Sequence, residues 1–124
     1  LKMGVIKLKR AYTDLSSEQG YRVLLDRLWP RGIKKETLAL DLWEKELAPT
    51  NALRHEFNHI PEKYEWFKKE YRQELENNPA LPAFIKQVQS WLETADVILI
   101  YGAKDEVHNQ AVVLKEYLEE MFEK

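Results

Sequence analysis

The eight residues YRVLLDRL (21–28) constrain the fold more than any other part of the sequence. Side chains on a strand point alternately to its two faces. Written as a strand, Val23 and Leu25 face one side, and Leu24 and Leu28 face the other. A strand that is apolar on both faces has to be covered on both, which makes it a central strand. The rest of the chain must then supply neighbours for it and helices to cover the sheet.

Both are legible. GVIKLK (4–9) alternates apolar and polar residues and reads as a strand, as does VILIY (97–101), which Asp96 leads into. LALDLW (38–43) is ambiguous: the alternation of Leu38, Leu40 and Leu42 favours a strand, but a short helix through Leu47 stays open. AYTDLSSEQG (11–20) is turn-rich, and WPRG (29–32) places Pro30 second and Gly32 fourth, as a type I turn does. IKKET (33–37) has room for one helical turn, and Ala48-Pro49 stops the segment that follows. Thr50 is a natural N-cap for a helix carrying Leu53 and Phe57. Pro61 opens a helix with Tyr64, Phe67, Tyr71 and Leu75 at helical spacing, ended by Asn77-Asn78-Pro79. Pro82 opens another, with Phe84, Ile85, Val88, Trp91 and Leu92 on one face. A last helix is expected after Gly102, carrying Val107, Ala111, Leu114, Leu118 and Met121. This order predicts an α/β fold in a single domain over residues 1–124, with a small, mostly parallel sheet of about four strands packed by helices. Leu1 and Lys2 precede Met3, which has the look of a native start, so they carry no weight in this reading.

Composition narrows the function classes. The formal net charge is −2, so no global basic field exists to hold a nucleic acid or an anionic membrane, although a local patch is compatible with it. There is no cysteine, which removes disulfides, thiolate metal sites and cysteine nucleophiles and fits a reducing cytoplasm. No apolar run approaches the roughly 18 residues of a membrane span, and no signal peptide is visible. The four glycines form no phosphate loop, and Ser16, Ser17 and Ser90 lack the context of an activated nucleophile.

HEFNH (55–59) fits the zinc pattern H-E-x-x-H, in which two histidines share a helical face. Here Pro61 follows closely, and the residue before a proline, Ile60, is pushed out of helical geometry. His59 therefore falls at or beyond the helix end, and no third ligand stands out downstream. The expectation is no metal and no cofactor, with Phe57 packed into the core and His55 and His59 solvated.

A different constellation points to chemistry. If the strands at 22–28 and 97–101 run parallel, their carboxyl ends share one edge, where open α/β sheets bind ligands. That edge would receive Asp26, Arg27, Trp29 and Arg31 from the first strand. Tyr101, Lys104, Asp105, His108 and Asn109 would come from the second strand and the start of the last helix. Helix N-termini favour anions, and Arg27, Arg31 and Lys104 add positive charge. Tyr101, Arg27, Arg31, Lys104 and Asn109 are thus candidate ligand-binding residues, with His108 as proton carrier and Asp26 as its orienting group or a base. Each also has a structural reading: Asp26 and Arg27 as fold-fixing partners, Trp29 as a core plug, Asp105 as a helix cap.

Three segments, RVLLDRLWPRG (22–32), LAPTNALRHEF (47–57) and YGAKDEVHNQAVVL (101–114), carry a resemblance. The chain resembles the domain-of-unknown-function 488 (DUF488) family in its short YeaO-like branch, over nearly its full length. The resemblance implies a compact bacterial α/β domain and no particular reaction. It matches His59 to a recurring histidine, while the position of His55 is not usually histidine. Longer members often carry cysteines around the segment matching Tyr101 to His108, and thiol chemistry there cannot pass to a chain without cysteine.

Three functions follow from these readings. The first is binding of, or action on, a small anionic molecule bearing phosphate or carboxylate at the carboxyl edge. The second is a nucleic-acid accessory role through Arg22, Arg27, Trp29, Arg31, Lys34 and Lys35, which the net charge opposes. The third is a protein-interaction module using exposed aromatic surface. Whether any reaction is catalysed, and in what oligomeric state, stays open at this level.

Overall fold

In the computed structural model, which describes residues 4–123, the apolar run at 97–101 is the centre of the molecule. It forms strand β4 (Val97–Tyr101), with all five residues buried. β4 pairs in parallel with β1 (Ile6–Arg10) on one side, Ile6 opposite Val97 and Arg10 opposite Tyr101. On its other side lies β2 (Tyr21–Leu24), also parallel, with Tyr21 opposite Val97. β3 (Leu42–Trp43) adds a short parallel edge to β2, and the order is β1-β4-β2-β3. The four-stranded parallel sheet matches the expected fold class.

Burial on both faces explains why the central strands are apolar throughout. Val97, Leu99 and Tyr101 join Val23 and Leu25 in the larger core, with residues of α2 (Asn51–Phe57), α3 (Tyr64–Glu76), α4 (Leu81–Trp91) and α5 (Gln110–Phe122). Ile98, Ile100 and Leu24 face a smaller core with Ala11, Leu15 and Leu38, packed by Trp29, Ile33, Leu40 and Trp43. Each such Leu, Ile or Val contributes about 1.5–3 kcal/mol on full burial. The second face is covered by the 11–19 loop and the one-turn α1 (Lys35–Leu38). Arg22 holds that cover in place, donating to the carbonyls of Leu15, Glu18 and Leu38.

Four details depart from the sequence reading. β2 ends at Leu24, and Leu28 is 71% exposed rather than inward-facing. The Leu25 N–H still donates to Ile100 O, but the Asp26 carboxylate then reaches the N–H of Gly102 and the chain leaves the sheet. Residues 38–47 are neither strand nor helix throughout. Ala39 takes a left-handed φ of 45° that ends α1. Asp41 exchanges hydrogen bonds with the Arg22 backbone, two residues pair with β2, and a 3-10 turn follows at Lys45–Leu47. The tight turn lies one residue later than expected: Ile33 N–H donates to Pro30 O, and Gly32, third in the turn, has φ +80°. That positive φ belongs to turns that require glycine at this position. Finally, the last helix begins at Gln110, with Asn109 as its cap, and Val107 lies ahead of it, 63% exposed. The helices at 51, 64 and 81 form where expected, and Ile60 is extended (φ −90°, ψ 110°) before Pro61, as a residue preceding proline must be.

Candidate functional site

Every connection leaving a strand of a parallel sheet starts at the same edge. The segments after β2 and β4, the Ala48-Pro49 lead-in to α2 and the later half of α2 meet around a cleft of about 490 Å3. Asp26 stands at its base. Its Oδ2 accepts from Gly102 N–H at 2.8 Å and its Oδ1 from Gln110 Nε2 at 2.6 Å. A Cβ at 102 would lie 2.8 Å from Asp26 Oδ2, so any larger residue there has to displace that carboxylate. Burial pushes the Asp26 pKa up, opposed by these two donors and by the Arg54 charge. Asp26 and Arg27 make no ion pair among the described residues; their partners are backbone and amide groups. Arg27 Nη2 donates to Ala48 O (3.3 Å) and Pro49 O (3.2 Å), strapping the segment that leads into α2, while its Nε is buried without a partner. Trp29 is a plug, as its structural reading held: its Nε1–H donates to Ile33 O and its ring meets Trp43 edge-on. Arg31 is exposed, and its carbonyl accepts from the Tyr12 hydroxyl at 3.1 Å.

The segment after β4 is organised by Asp105, which does not cap α5. Its Oδ1 accepts from the N–H groups of Val107 and His108, both at 2.9 Å, and its Oδ2 lies 2.8 Å from His108 Nδ1. These bonds lower its pKa to about 2, the His108 backbone N–H contributing most. With Nδ1–H turned to a carboxylate, neutral His108 carries its acceptor on Nε2. Tyr64 holds the ring edge-on at 5.0 Å. Asn109, 1% exposed, is fully engaged: Oδ1 accepts from Val112 N–H, Nδ2 donates to Asp105 O, and its carbonyl accepts from Tyr64.

The third wall was missed by sequence reasoning. Arg54, His55, Asn58 and His59 line the same cleft. The stretch HEFNH does not have the geometry of a zinc helix: α2 stops at Phe57, and Asn58 and His59 follow with left-handed φ of 49° and 56°. Among the described residues no set of three His, Asp or Glu is arranged to hold a metal ion. The available signal was topological. A helix following a strand parallel to β2 has to start at the edge where Asp26 and Gly102 stand.

The cleft therefore brings together Asp26, Arg27, Arg31, His108 and Asn109 of the expected residues, and adds Arg54, His55, His59 and Gln110. Lys104 is exposed outside its lining, and Tyr101, 2% exposed, belongs to the larger core. All three histidines of the chain and three of its six arginines line this one cleft, and Asp26 is the sole carboxylate among them. The arrangement is chemically suited to hold an anion, with His108 Nε2 available to exchange a proton with it.

A family model described as the inactive DUF488-N3 subclade (DUF488-N3i) matches residues 5–124. The chain belongs to that family. It is 39% identical over 113 residues to "Uncharacterized protein YeaO" of Escherichia coli, covering 91% of this chain and 96% of that protein. It is 38% identical over 76 residues to "Uncharacterized protein Rv3073c" of Mycobacterium tuberculosis and to "Uncharacterized protein Mb3100c" of Mycobacterium bovis, covering 61% of this chain and 64% of each. No solved structure matches the chain.

Proposed function

We propose that this protein binds a small phosphate- or carboxylate-bearing molecule in the cleft at the carboxyl edge of its sheet, and that binding rather than turnover is its role. The observation that carries the reading is the gathering of three arginines and every histidine around a cleft whose one carboxylate is occupied by Gly102 and Gln110. Guanidinium groups match the planar, two-oxygen geometry of phosphate and carboxylate. The description of the subclade as inactive favours binding over catalysis. The nucleic-acid reading loses support because Arg22 is bonded to three carbonyls inside the fold and Trp29 is fixed beneath the turn. A cysteine-free chain binding such a ligand fits the cytoplasm. No helix among the described residues is long and apolar enough to cross a membrane.

Amide spectra of the 15N-labelled protein titrated with inorganic phosphate test the proposal. Saturable shifts centred on Arg27, Gly102 and His108, weakened in Arg54→Ala, are expected. No saturable shift up to about 10 mM phosphate, a range that already covers weak millimolar binding, would overturn it.

A further inference from the structure

The cleft is much larger than an inorganic anion needs. Its volume of about 490 Å3 lies in the range of roughly 300–1,000 Å3 typical of pockets for organic ligands. Nor is it cationic throughout. Tyr12, Leu28 and Pro30 line it together with Arg27 and Arg31. Leu28 is 71% exposed and Tyr12 43% exposed, the former more open than any other large apolar residue among those described. An exposed leucine directly after a cleft arginine has no role in the core, since Leu28 belongs to neither apolar cluster.

This lining is held in place. Tyr12 is fixed at its hydroxyl by Arg31 O, and the Arg10 guanidinium lies 4.9 Å from its ring centroid. Arg10 Nε in turn donates to Ala103 O, tying Tyr12 to the segment after β4. Next to Leu28 in sequence, Trp29 is anchored to Ile33 and Trp43. Apolar side chains preformed in the same cleft as guanidinium groups are complementary to a ligand with both characters, and preorganisation of that kind preserves affinity.

Resting on the anion reading above, we infer that the cleft takes an organic phosphate monoester with a ring-sized apolar body. The phosphate lies among Arg27, Arg31 and Arg54, and the ring lies along Leu28 and Tyr12. A phosphate monoester carries about −1.5 to −2 charges near neutrality, which suits three guanidinium groups better than one carboxylate does. Burying one ring face against apolar side chains gives about a tenfold gain over the bare anion.

Calorimetric titration of the full chain with inorganic phosphate and with phenyl phosphate tests this. Phenyl phosphate is expected to bind about tenfold more tightly, and in Leu28→Ser the ratio of the two affinities is expected to fall toward one. Leu28 is exposed, so this variant folds. Equal affinities in the parent protein, or a ratio unchanged in Leu28→Ser, would overturn the inference while leaving anion binding standing. Failure of both compounds to bind would remove the anion reading and this inference with it.

Discussion

Arg31 and Leu25 lie six positions apart, yet substitutions at them should have opposite consequences. Leu25 is 1% exposed in the larger core, so Leu25→Ala should cost about 2–5 kcal/mol in urea unfolding. Arg31 is exposed and its guanidinium has no partner among the described residues, so Arg31→Glu should change stability by less than about 0.5 kcal/mol while weakening phosphate binding. Comparable stability losses in both would show Arg31 to be structural. Asp26 has a pH signature. Its folded pKa is raised, so the native state holds the proton more tightly than the unfolded chain does. Stability should therefore fall as pH rises from the ordinary aspartate value through the raised one, and Asp26→Asn should flatten that fall. Unfolding curves of both proteins across this window check it, and parallel curves would contradict the assigned burial. Asp105 has the opposite sign: its bonds to the 107–108 segment should weaken as pH falls toward about 2. At this scale the sequence was legible in which side chains line the cleft, as with Asp26, Arg27 and His108. It misled where geometry decides. Tyr101 looked available at a strand end, but the inward face of β4 buries it; Asn109 lines the cleft as expected, with its side chain committed to capping α5.

Among the elements, α2 matters most to the site and was the least expected there. Its N-cap was readable: Thr50 Oγ accepts from Leu53 N–H at 3.2 Å. The Glu74 carboxylate secures the cap from α3, accepting from Thr50 N–H at 3.0 Å and from its hydroxyl at 2.7 Å. Thr50→Ala should cost about 0.5–2 kcal/mol. Because α2 carries Arg54 and His55 to the cleft and its end leads directly to His59, the same change should weaken phosphate binding although residue 50 lies outside the lining. Calorimetry with the variant would show it, and unaltered affinity would mean that α2 does not contribute to the site. The periodic helices α3 and α4 were legible because their apolar residues recur over several turns. β3 was not, because two residues of pairing leave no periodic trace and Asp41 sets its register through the Arg22 backbone. The start of α5 was misplaced because Asp105 and Asn109 are both capping residue types: the Asn109 side chain accepts from Val112 N–H and caps the helix, while Asp105 closes the turn ahead of it.

For the whole molecule, strand type was legible and strand order was not. Apolar runs identify buried strands, but nothing local states that β4 lies between β1 and β2. That order places Gly102 beside Asp26, 76 residues apart in sequence, and so creates the cleft. With a net charge of −2, the chain has no global field for anions, and the charge at the cleft is screened beyond about 8 Å at physiological salt. The protein should therefore pass through heparin unretained at that salt while still binding small phosphates; retention would favour the nucleic-acid reading. The most direct measurement is a crystal structure after soaking with tungstate, an electron-dense oxyanion visible by its anomalous signal. A peak is expected in the cleft within hydrogen-bond reach of Arg27, Arg31 or Arg54, and a cleft without a peak would contradict anion binding there.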